Sequence, residues 1–439
     1  MRIVYILLTI IMSFTAIFSD GVNDSGSLEF IHAIMTIICS IAIFSFKDRP
    51  YSLYKVFHIF YLFFFCIAPA MQYKSGIKLL GTYFTEQDYI KTSIYCIVVL
   101  LLFNLVYSTV NSRLGCRFPI SQYYKQKTIR TNQVNITKVL LMLSISFCVC
   151  SYFLWLNNFN FASILVRGGE LATRRDVNQM AGLIVNSFLR PVPMILFLSA
   201  FIMGIRNKLI LAILFLLFVI TSPPTGMARL SVAALYIPVV LGCFSLMRKG
   251  NSFVLVLVFG LLVVFPLLAS FRYYSSDVEL QLFNFDQFLD LNFDAYSMFM
   301  RVLSNDIVTY GHQLLGVAFF WVPRSFWPDK PIGSGSYVAD VTGLSFDNIS
   351  MPFFGEGYIN FGVIGVVVFT LLLAWFLAKQ DYIYWHKTVK NEQSLDGIRY
   401  FLLMGLLMFV LRGDLLSGCA YTCGFVVSFY AVRMIISPK

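Results

Sequence analysis

Residues 357–378 read GYINFGVIGVVVFTLLLAWFLA, a run without a single charged side chain. An α-helix rises about 1.5 Å per residue, so roughly 20 apolar residues cross the roughly 30 Å of hydrocarbon in a bilayer. Backbone polar groups in lipid need partners within the segment, which favours a helix. The stretch therefore predicts a membrane-spanning helix.

The composition of the whole chain agrees with that prediction. Its 439 residues are 58% hydrophobic, 17% aromatic and only 13% charged, and the mean hydropathy is +0.76. Soluble domains contain about 25% charged residues. The formal net charge of +11 does not indicate nucleic-acid binding, because the basic residues form short clusters between apolar runs, as cytoplasmic loops do. The sequence predicts an all-α polytopic membrane protein with no nucleic-acid partner.

Apolar runs of suitable length recur along the chain and predict twelve transmembrane helices. The first is read as a membrane helix because it lacks a clear small-residue cleavage site. No internal repeat or low-complexity linker divides the chain, so residues 1–439 are predicted to form one transmembrane domain. Within a few residues, the predicted helices are 3–18, 28–46, 52–70, 90–110, 138–156, 186–204, 208–220, 230–247, 252–270, 357–378, 400–416 and 418–436.

The distribution of lysine and arginine predicts the side that each loop faces. With an inner amino terminus, most of the 33 basic residues lie in cytoplasmic segments, and much of the remainder lies in two long outer loops, which count least in this rule. Both termini are therefore predicted in the cytoplasm, with outer loops at 157–185 and 271–356. Acids at roughly helical spacing within 277–294, beside phenylalanines, predict an amphipathic helix lying on the membrane.

Arginines on the predicted outer side mark a candidate anion site. Arg229, Arg272, Arg324 and Arg412 all fall at outer ends of spans or in outer loops. An arginine at membrane depth costs about 2.5–3.5 kcal/mol, so each needs a partner or a use. Pairing with lipid headgroups or neighbouring acids explains the position of any single one of these four arginines. Together they predict a phosphate-binding cavity, since one unit-charge pair at about 4 Å and an effective dielectric near 20 contributes about 4 kcal/mol.

Glu356 and His312 are candidates for acid–base chemistry. Glu356 lies between glycines at the start of the tenth span, where it is either a simple helix-start acid or a base. His312, in an outer loop, suits a base, a phosphate ligand or a hydrogen-bond donor. Neither metal-ligand spacing nor a nucleotide-binding glycine motif occurs, so no metal and no cofactor are expected.

Two stretches resemble a known family. GHQLLGVAFFWVPRSFWPDKPIGSG (311–335) and NISMPFFGEGYINFGVIGVVVF (348–369) are similar to the bacterial O-antigen or capsule repeat-unit polymerases of the Wzy type. In these proteins a large external loop carries a Pro-Arg-aromatic-Pro-Lys-Pro element and a Gly-Glu element leads into the next span. FVLRGDLLSG (409–418) supports the likeness, which elsewhere rests on span number and loop placement.

The resemblance implies a membrane-embedded, GT-C-like glycosyltransferase of the bacterial inner membrane. Such an enzyme transfers a growing glycan from polyprenyl diphosphate, of the undecaprenyl class, to the non-reducing end of a new lipid-linked repeat unit on the periplasmic face. Inversion at the anomeric carbon without a metal is implied. The implied partners are polyprenyl-diphosphate-linked oligosaccharides, membrane lipids and a chain-length regulator.

The resemblance also assigns cations to the diphosphate. Arg324 and Lys330 match the Pro-Arg and Lys-Pro positions, and Arg412 matches the arginine before the last span. Arg229 and Arg272 are added from their placement alone. The implied diphosphate site therefore draws on several outer segments.

Catalytic and sugar-binding residues follow from the same resemblance. Glu356 matches the Gly-Glu position and is the first candidate for activating the acceptor, with His312 second. Trp321, Phe326 and Trp327 are candidates for a sugar-stacking wall or for interfacial anchors. The neighbouring prolines exclude a helix there. Two other functions stay open: an O-antigen ligase that uses the same lipid carrier, and a flippase or exporter of lipid-linked oligosaccharides.

Overall fold

The fold of the chain is α-helical. The computed structural model describes residues 2–46, 48–115, 135–165, 182, 184–270, 285–346, 349–388 and 395–436, and no strand occurs in these ranges. The prediction of an all-α protein is confirmed.

Each predicted span corresponds to a helix, although not all are equally long. Over the described ranges, eight helices are long and apolar enough to cross a membrane: Gly26–Ile43, Leu53–Lys74, Glu86–Arg113, Ile136–Leu156, Val185–Ile202, Lys208–Gly226, Phe353–His386 and Leu415–Ile436. Three shorter apolar helices follow other predicted spans: Arg2–Ile17, Arg229–Cys243 and Ser252–Leu268. The eleventh predicted span is the helix Asp396–Arg412. By length and composition, this is a multi-pass membrane protein.

One helix is enclosed by the others. The most apolar window of Leu53–Lys74 is 100% buried. Phe57 stacks on Phe103 with ring centroids 3.6 Å apart, and Phe64 packs on Phe293 at 4.7 Å. Other helices, such as Glu86–Arg113, instead expose an apolar stripe: Ile94, Val98, Leu101 and Leu105. Residues three and four apart share one helix face, so this stripe is suited to contact lipid.

The helix Phe353–His386 is sharply broken near its start. Phe361 has φ −144° and ψ 23°, and Gly362 has φ 59°, neither of which is helical. In a straight helix, residues eight apart are about 12 Å apart along the axis. Here a Cβ atom placed on Gly365 would lie 1.9 Å from the carbonyl oxygen of Gly357. The short first half, which carries Glu356, is therefore folded back against the longer second half.

A buried polar cluster ties four helices together at the end of the bundle where Leu53–Lys74 and Asp396–Arg412 begin. Asp381 is 0% exposed. Its carboxylate accepts hydrogen bonds from the N–H groups of Leu53 (2.9 Å) and Tyr54 (3.2 Å) and from the hydroxyls of Tyr107 (2.6 Å) and Tyr400 (2.5 Å). Buried carboxylates need such donors, so this cluster fixes the bundle at one end.

The described part of the predicted second outer loop contains three short α-helices: Ala295–Ser304, His312–Ala318 and Ser334–Val341. No helix occurs in 319–333, as the prolines predict. The predicted amphipathic helix is wrong for residues 285–294, which form two 3₁₀ turns. Phe288 and Phe293 are buried against the enclosed helix instead of facing lipid, because their rings pack on Phe63 and Phe64. Residues 277–284 and most of the first outer loop lie outside the described residues.

Candidate functional site

A cavity of about 970 Å³ lies at the opposite end of the bundle from the Asp381 cluster. Its walls come from six separate parts of the chain: 77–81, 225–230, 265–268, 289–294, 409–417 and the described residues of 333–350. The predicted topology assigns all six to the same side of the membrane. The cavity therefore gathers segments that are remote in sequence, as a binding site requires.

The lining combines charged groups with an apolar wall. The cations are Lys78, Arg229 and Arg412, and the carboxylates are Asp290, Asp294 and Asp414. The apolar wall includes Leu230, Phe265, Leu268, Leu289, Phe346 and Phe409. Binding sites typically pair apolar walls with a few convergent polar groups that fix the orientation of the ligand. This lining suits a ligand that has both anionic and apolar parts.

Two carboxylates meet where two helices begin. Glu356 is 0% exposed; its Oε2 accepts from the Ser334 hydroxyl at 2.7 Å and its Oε1 from the Leu415 N–H at 2.8 Å. Asp414 Oδ1 accepts from the Leu416 N–H at 2.8 Å, and its Oδ2 accepts from the Gly335 N–H at 3.2 Å. Helix amino termini favour negative charge, which explains why the pair is placed here.

Only one member of this pair reaches the cavity. Asp414 lines it, whereas Glu356 lies behind Asp414 and Ser334. The backbone of the Pro-Ile-Gly-Ser-Gly stretch comes close, since a Cβ atom placed on Gly333 would lie 2.5 Å from Asp414 Oδ2. Burial raises the pKa of Asp414 above its ordinary value, while the N–H donors of Gly335, Leu416 and Ser417 act in the opposite direction. Asp414 thus presents its carboxylate to the cavity.

Arg412 is held in the cavity wall by an ion pair. Its Nη2 lies 3.0 Å from Asp294 Oδ1 and donates to the Leu291 carbonyl at 3.1 Å. Asp294 also accepts from the Ser350 hydroxyl at 3.0 Å. The Nε of Arg412 is buried and has no hydrogen-bond partner among the described residues. A buried donor without a partner costs about 1–3 kcal/mol, and the part of the side chain that remains exposed, 18%, can contact an anion in the cavity.

Arg229 and Lys78 complete the cationic part of the lining. The Arg229 guanidinium lies over the Phe265 ring, 4.6 Å from its centroid. Burial raises the pKa of Asp290, while the Arg229 charge acts in the opposite direction. The Lys78 ammonium lies 5.9 Å from the centroid of Tyr83, a distance at which a cation–π attraction persists. Both cations therefore sit beside aromatic rings at the cavity.

Arg324 and Lys330 do not line this cavity. Arg324 donates to the carbonyls of Lys330 (2.7 Å) and Pro331 (3.4 Å), and Lys330 donates to those of Phe320 (2.7 Å) and Val322 (3.0 Å). Burial and, to a lesser degree, the Arg324 charge lower the pKa of Lys330. The two cations close the proline-rich loop on itself, and the structure does not bring Arg324 together with Arg229 and Arg412.

The other predicted site residues lie on the loop surface or outside the described residues. His312 begins the helix His312–Ala318 and is exposed. Trp321 and Phe326 are 65% and 84% exposed, and Trp327 is half-buried; none of these four lines the cavity. Arg272 lies outside the described residues. Of the four arginines expected to line one cavity, Arg229 and Arg412 do so. Glu356 lies directly behind the cavity wall.

Four charged lining residues were not predicted as site residues: Lys78, Asp290, Asp294 and Asp414. Asp414 stands two positions after Arg412 in FVLRGDLLSG, and that proximity to a predicted cation was the available signal. Lys78 lies in a short loop with no motif around it.

Comparison of the chain with protein-family models, curated proteins and solved structures gave no match. Among the described residues, no group of three or more His, Cys, Asp or Glu side chains is placed to hold a metal ion.

Proposed function

We propose that the protein is a polymerase of O-antigen or a related surface polysaccharide. It transfers the growing glycan from polyprenyl diphosphate to a new lipid-linked repeat unit, and the cavity is its active site. In this proposal the chain crosses the bacterial inner membrane twelve times in a GT-C-like arrangement. Both termini face the cytoplasm and the cavity faces the periplasm.

One observation carries the proposal: Lys78, Arg229 and Arg412 line the same cavity as a carboxylate, Asp414, beside an apolar wall. A polyprenyl diphosphate has an anionic head on an apolar chain, and its glycan offers hydroxyl groups. Cations that meet the leaving diphosphate stabilise the charge that develops during transfer. The resemblance of 311–369 to repeat-unit polymerases supports the same assignment.

The proposed reaction transfers one proton and releases one leaving group. An acceptor hydroxyl oxygen forms a bond to the anomeric carbon of the donor while the bond from that carbon to the diphosphate oxygen breaks. The hydroxyl proton passes to Asp414, and the diphosphate leaves with the electron pair of the broken bond. Glu356 has no access to the cavity, so we assign it to positioning: it fixes Ser334 and Leu415, the neighbours of the Asp414 site.

Purified protein incubated with a defined undecaprenyl-diphosphate oligosaccharide tests the proposal directly. We expect a ladder of glycans that differ by one repeat unit, with polyprenyl diphosphate released. We expect the ladder to form in the presence of a chelator; a loss that one divalent ion reverses would contradict the absence of a metal.

A deletion strain separates the other functions. Lipid A core carrying a single repeat unit is expected from loss of a polymerase. Bare core together with an accumulated complete glycan on its lipid carrier would identify a ligase. Repeat units that accumulate on the cytoplasmic face would identify a flippase.

A further inference from the structure

A second, smaller pocket of about 370 Å³ lies beside the main cavity. Ile77 and Leu79 line both spaces, so one short loop separates them. Its other walls come from the end of the enclosed helix and the start of Glu86–Arg113. The pocket is therefore on the same predicted outer side as the cavity.

The lining of this pocket differs in chemistry from that of the cavity. It includes the aromatic residues Tyr73, Tyr83, Phe84 and Tyr89 and no lysine or arginine. A single carboxylate, Glu86, is present with the neutral polar side chains of Asn23, Gln72, Thr82 and Thr85. Aromatic faces and neutral hydrogen-bonding groups suit a sugar ring better than a phosphate.

Four polar side chains of the pocket are fixed by hydrogen bonds within the protein: Asn23, Gln72, Thr82 and Thr85. Gln72 donates to the Phe288 carbonyl at 2.8 Å, and the Thr82 hydroxyl accepts from Arg301 at 2.6 Å. Within the described residues, neither the Glu86 carboxylate nor the Tyr83 hydroxyl has a hydrogen-bond partner, and Tyr83 is 67% exposed. The pocket thus presents a ring, a hydroxyl and a carboxylate to a ligand.

The loop between the two spaces has a strained backbone. Gly76 (φ 64°) and Gly81 (φ 71°) adopt left-handed conformations, and so does Leu80 at φ 58°. A non-glycine residue in this region costs on the order of 1 kcal/mol and persists where the surroundings impose it. The loop places Lys78 in the cavity and within 5.9 Å of the Tyr83 ring in the pocket. An anion held by Lys78 would therefore lie next to the pocket.

We propose that the pocket is a carbohydrate-binding subsite. It holds sugars of the donor glycan that follow the diphosphate-linked residue, while that residue reacts in the cavity. This inference rests on the proposed function. Retention of the donor chain between transfers favours further transfers, so the subsite promotes long products.

Binding of the free repeat-unit oligosaccharide, without lipid or diphosphate, tests the subsite in the purified full-length protein by saturation-transfer NMR. We expect Tyr83→Ala to weaken binding at least about tenfold and Glu86→Gln to weaken it less. Tyr83→Phe keeps the ring and is expected to retain most of the affinity. Tyr310→Ala, at a tyrosine that is 88% exposed and lies outside the pocket, is the matched control. In the polymerisation assay, Tyr83→Ala is expected to shorten the products.

Equal binding by wild type and Tyr83→Ala, or no binding by wild type, would overturn the subsite. The two proposals fail separately. Tyr83-dependent glycan binding without any polymerisation keeps the subsite and removes the polymerase. A ladder of normal length from a Tyr83→Ala variant with normal binding removes the subsite and keeps the polymerase. If Tyr83→Ala does not fold, Glu86→Gln tests the subsite through its smaller expected loss of binding.

Discussion

Arg412 and Asp294 form an ion pair in the cavity wall, with Nη2 3.0 Å from Oδ1, although they are 118 residues apart in sequence. Asp294 fixes the position of the guanidinium, while the buried Nε of Arg412 keeps an unused hydrogen. The Arg412 side chain is still 18% exposed, so a phosphate oxygen in the cavity can bind its exposed part without breaking the pair.

We expect Arg412→Ala to reduce polymer formation by at least about 100-fold, because one preorganised donor to a developing anion contributes a factor of about 10²–10³. The change also leaves buried Asp294 without its cation, so the free energy of unfolding should fall by about 1–3 kcal/mol. Arg433→Ala is the control. The side chains of Arg433 and its ion partner Asp396 are 41% and 45% exposed, and exposed ion pairs contribute little to stability. Ladder gels and thermal melts measure both effects. Similar behaviour of the two variants would contradict the assignment of Arg412.

Asp414→Asn tests the proton acceptor. We expect turnover to fall by about 10²–10⁴, the usual contribution of a general base, while lipid-linked substrate still binds. Glu356→Gln should keep binding, because the Ser334 hydroxyl can rotate to accept from the new amide. Its loss of turnover should be smaller than that of Asp414→Asn, because Glu356 only positions Ser334 and Leu415. Single-turnover rates and binding measured on each variant separate these outcomes. Near-normal turnover in Asp414→Asn would remove Asp414 from this role.

The reaction rate and the free energy of unfolding should both depend on pH through Asp414. Its pKa in the folded protein is raised by burial, and the base is active only when deprotonated, so the rate should rise with pH through that pKa. Because the folded state binds this proton more tightly than the unfolded state does, the free energy of unfolding falls as pH rises from the unfolded to the folded pKa. Thermal melts across pH should show a shallower decline in Asp414→Asn. An identical decline in both proteins would contradict the placement.

Lys78→Ala should weaken substrate binding more than turnover. We expect KM to rise about tenfold, equivalent to about 1.4 kcal/mol, because Lys78 contributes charge at the edge of the cavity. Lys249→Ala, at an exposed lysine that does not line the cavity, is the matched control. Competition by inorganic pyrophosphate should weaken in parallel. Unchanged competition would show that Lys78 does not meet the diphosphate.

Arg324→Ala should abolish polymer and leave single repeat units on the surface lipid, as the resemblance implies. In the structure Arg324 closes its loop through the carbonyls of Lys330 and Pro331, so its loss should also release the loop, which limited proteolysis detects. Asp329→Ala in the same loop is the control and should leave both readouts unchanged. Long chains at normal expression of Arg324→Ala would refute the prediction.

The helices were predictable from hydropathy because a run of about 20 apolar residues has few other stable forms. The break at Phe361 and Gly362 was not, since nothing in an uncharged run shows where its backbone turns back. Hydrogen bonds from remote residues stabilise that break: the Thr309 and Gly311 N–H groups donate to the carbonyls of Ile359 and Asn360 at 2.6 and 2.8 Å.

The site residues were predictable only where a cation lay on the side of the membrane that the topology rule disfavours. Arg229 and Arg412 stood out because the positive-inside rule disfavours them on the outer side. Asp414 did not, since an acid beside an arginine is readily explained as its ion partner; in the structure that partner is Asp294. Arg324 donates to carbonyls of its own loop for a local reason. The prolines of the loop lack N–H donors, so nearby carbonyl oxygens accept hydrogen bonds from side chains instead.

The enclosure of Leu53–Lys74 constrains how the protein is made. Its polar side chains include Lys55, His58 and Gln72, all buried in the finished protein. Gln72 donates to the carbonyls of Phe288 and Phe293, which are synthesised 216 and 221 residues later. Until those later segments are synthesised, the side chain of Gln72 lacks the partners that it has in the finished protein.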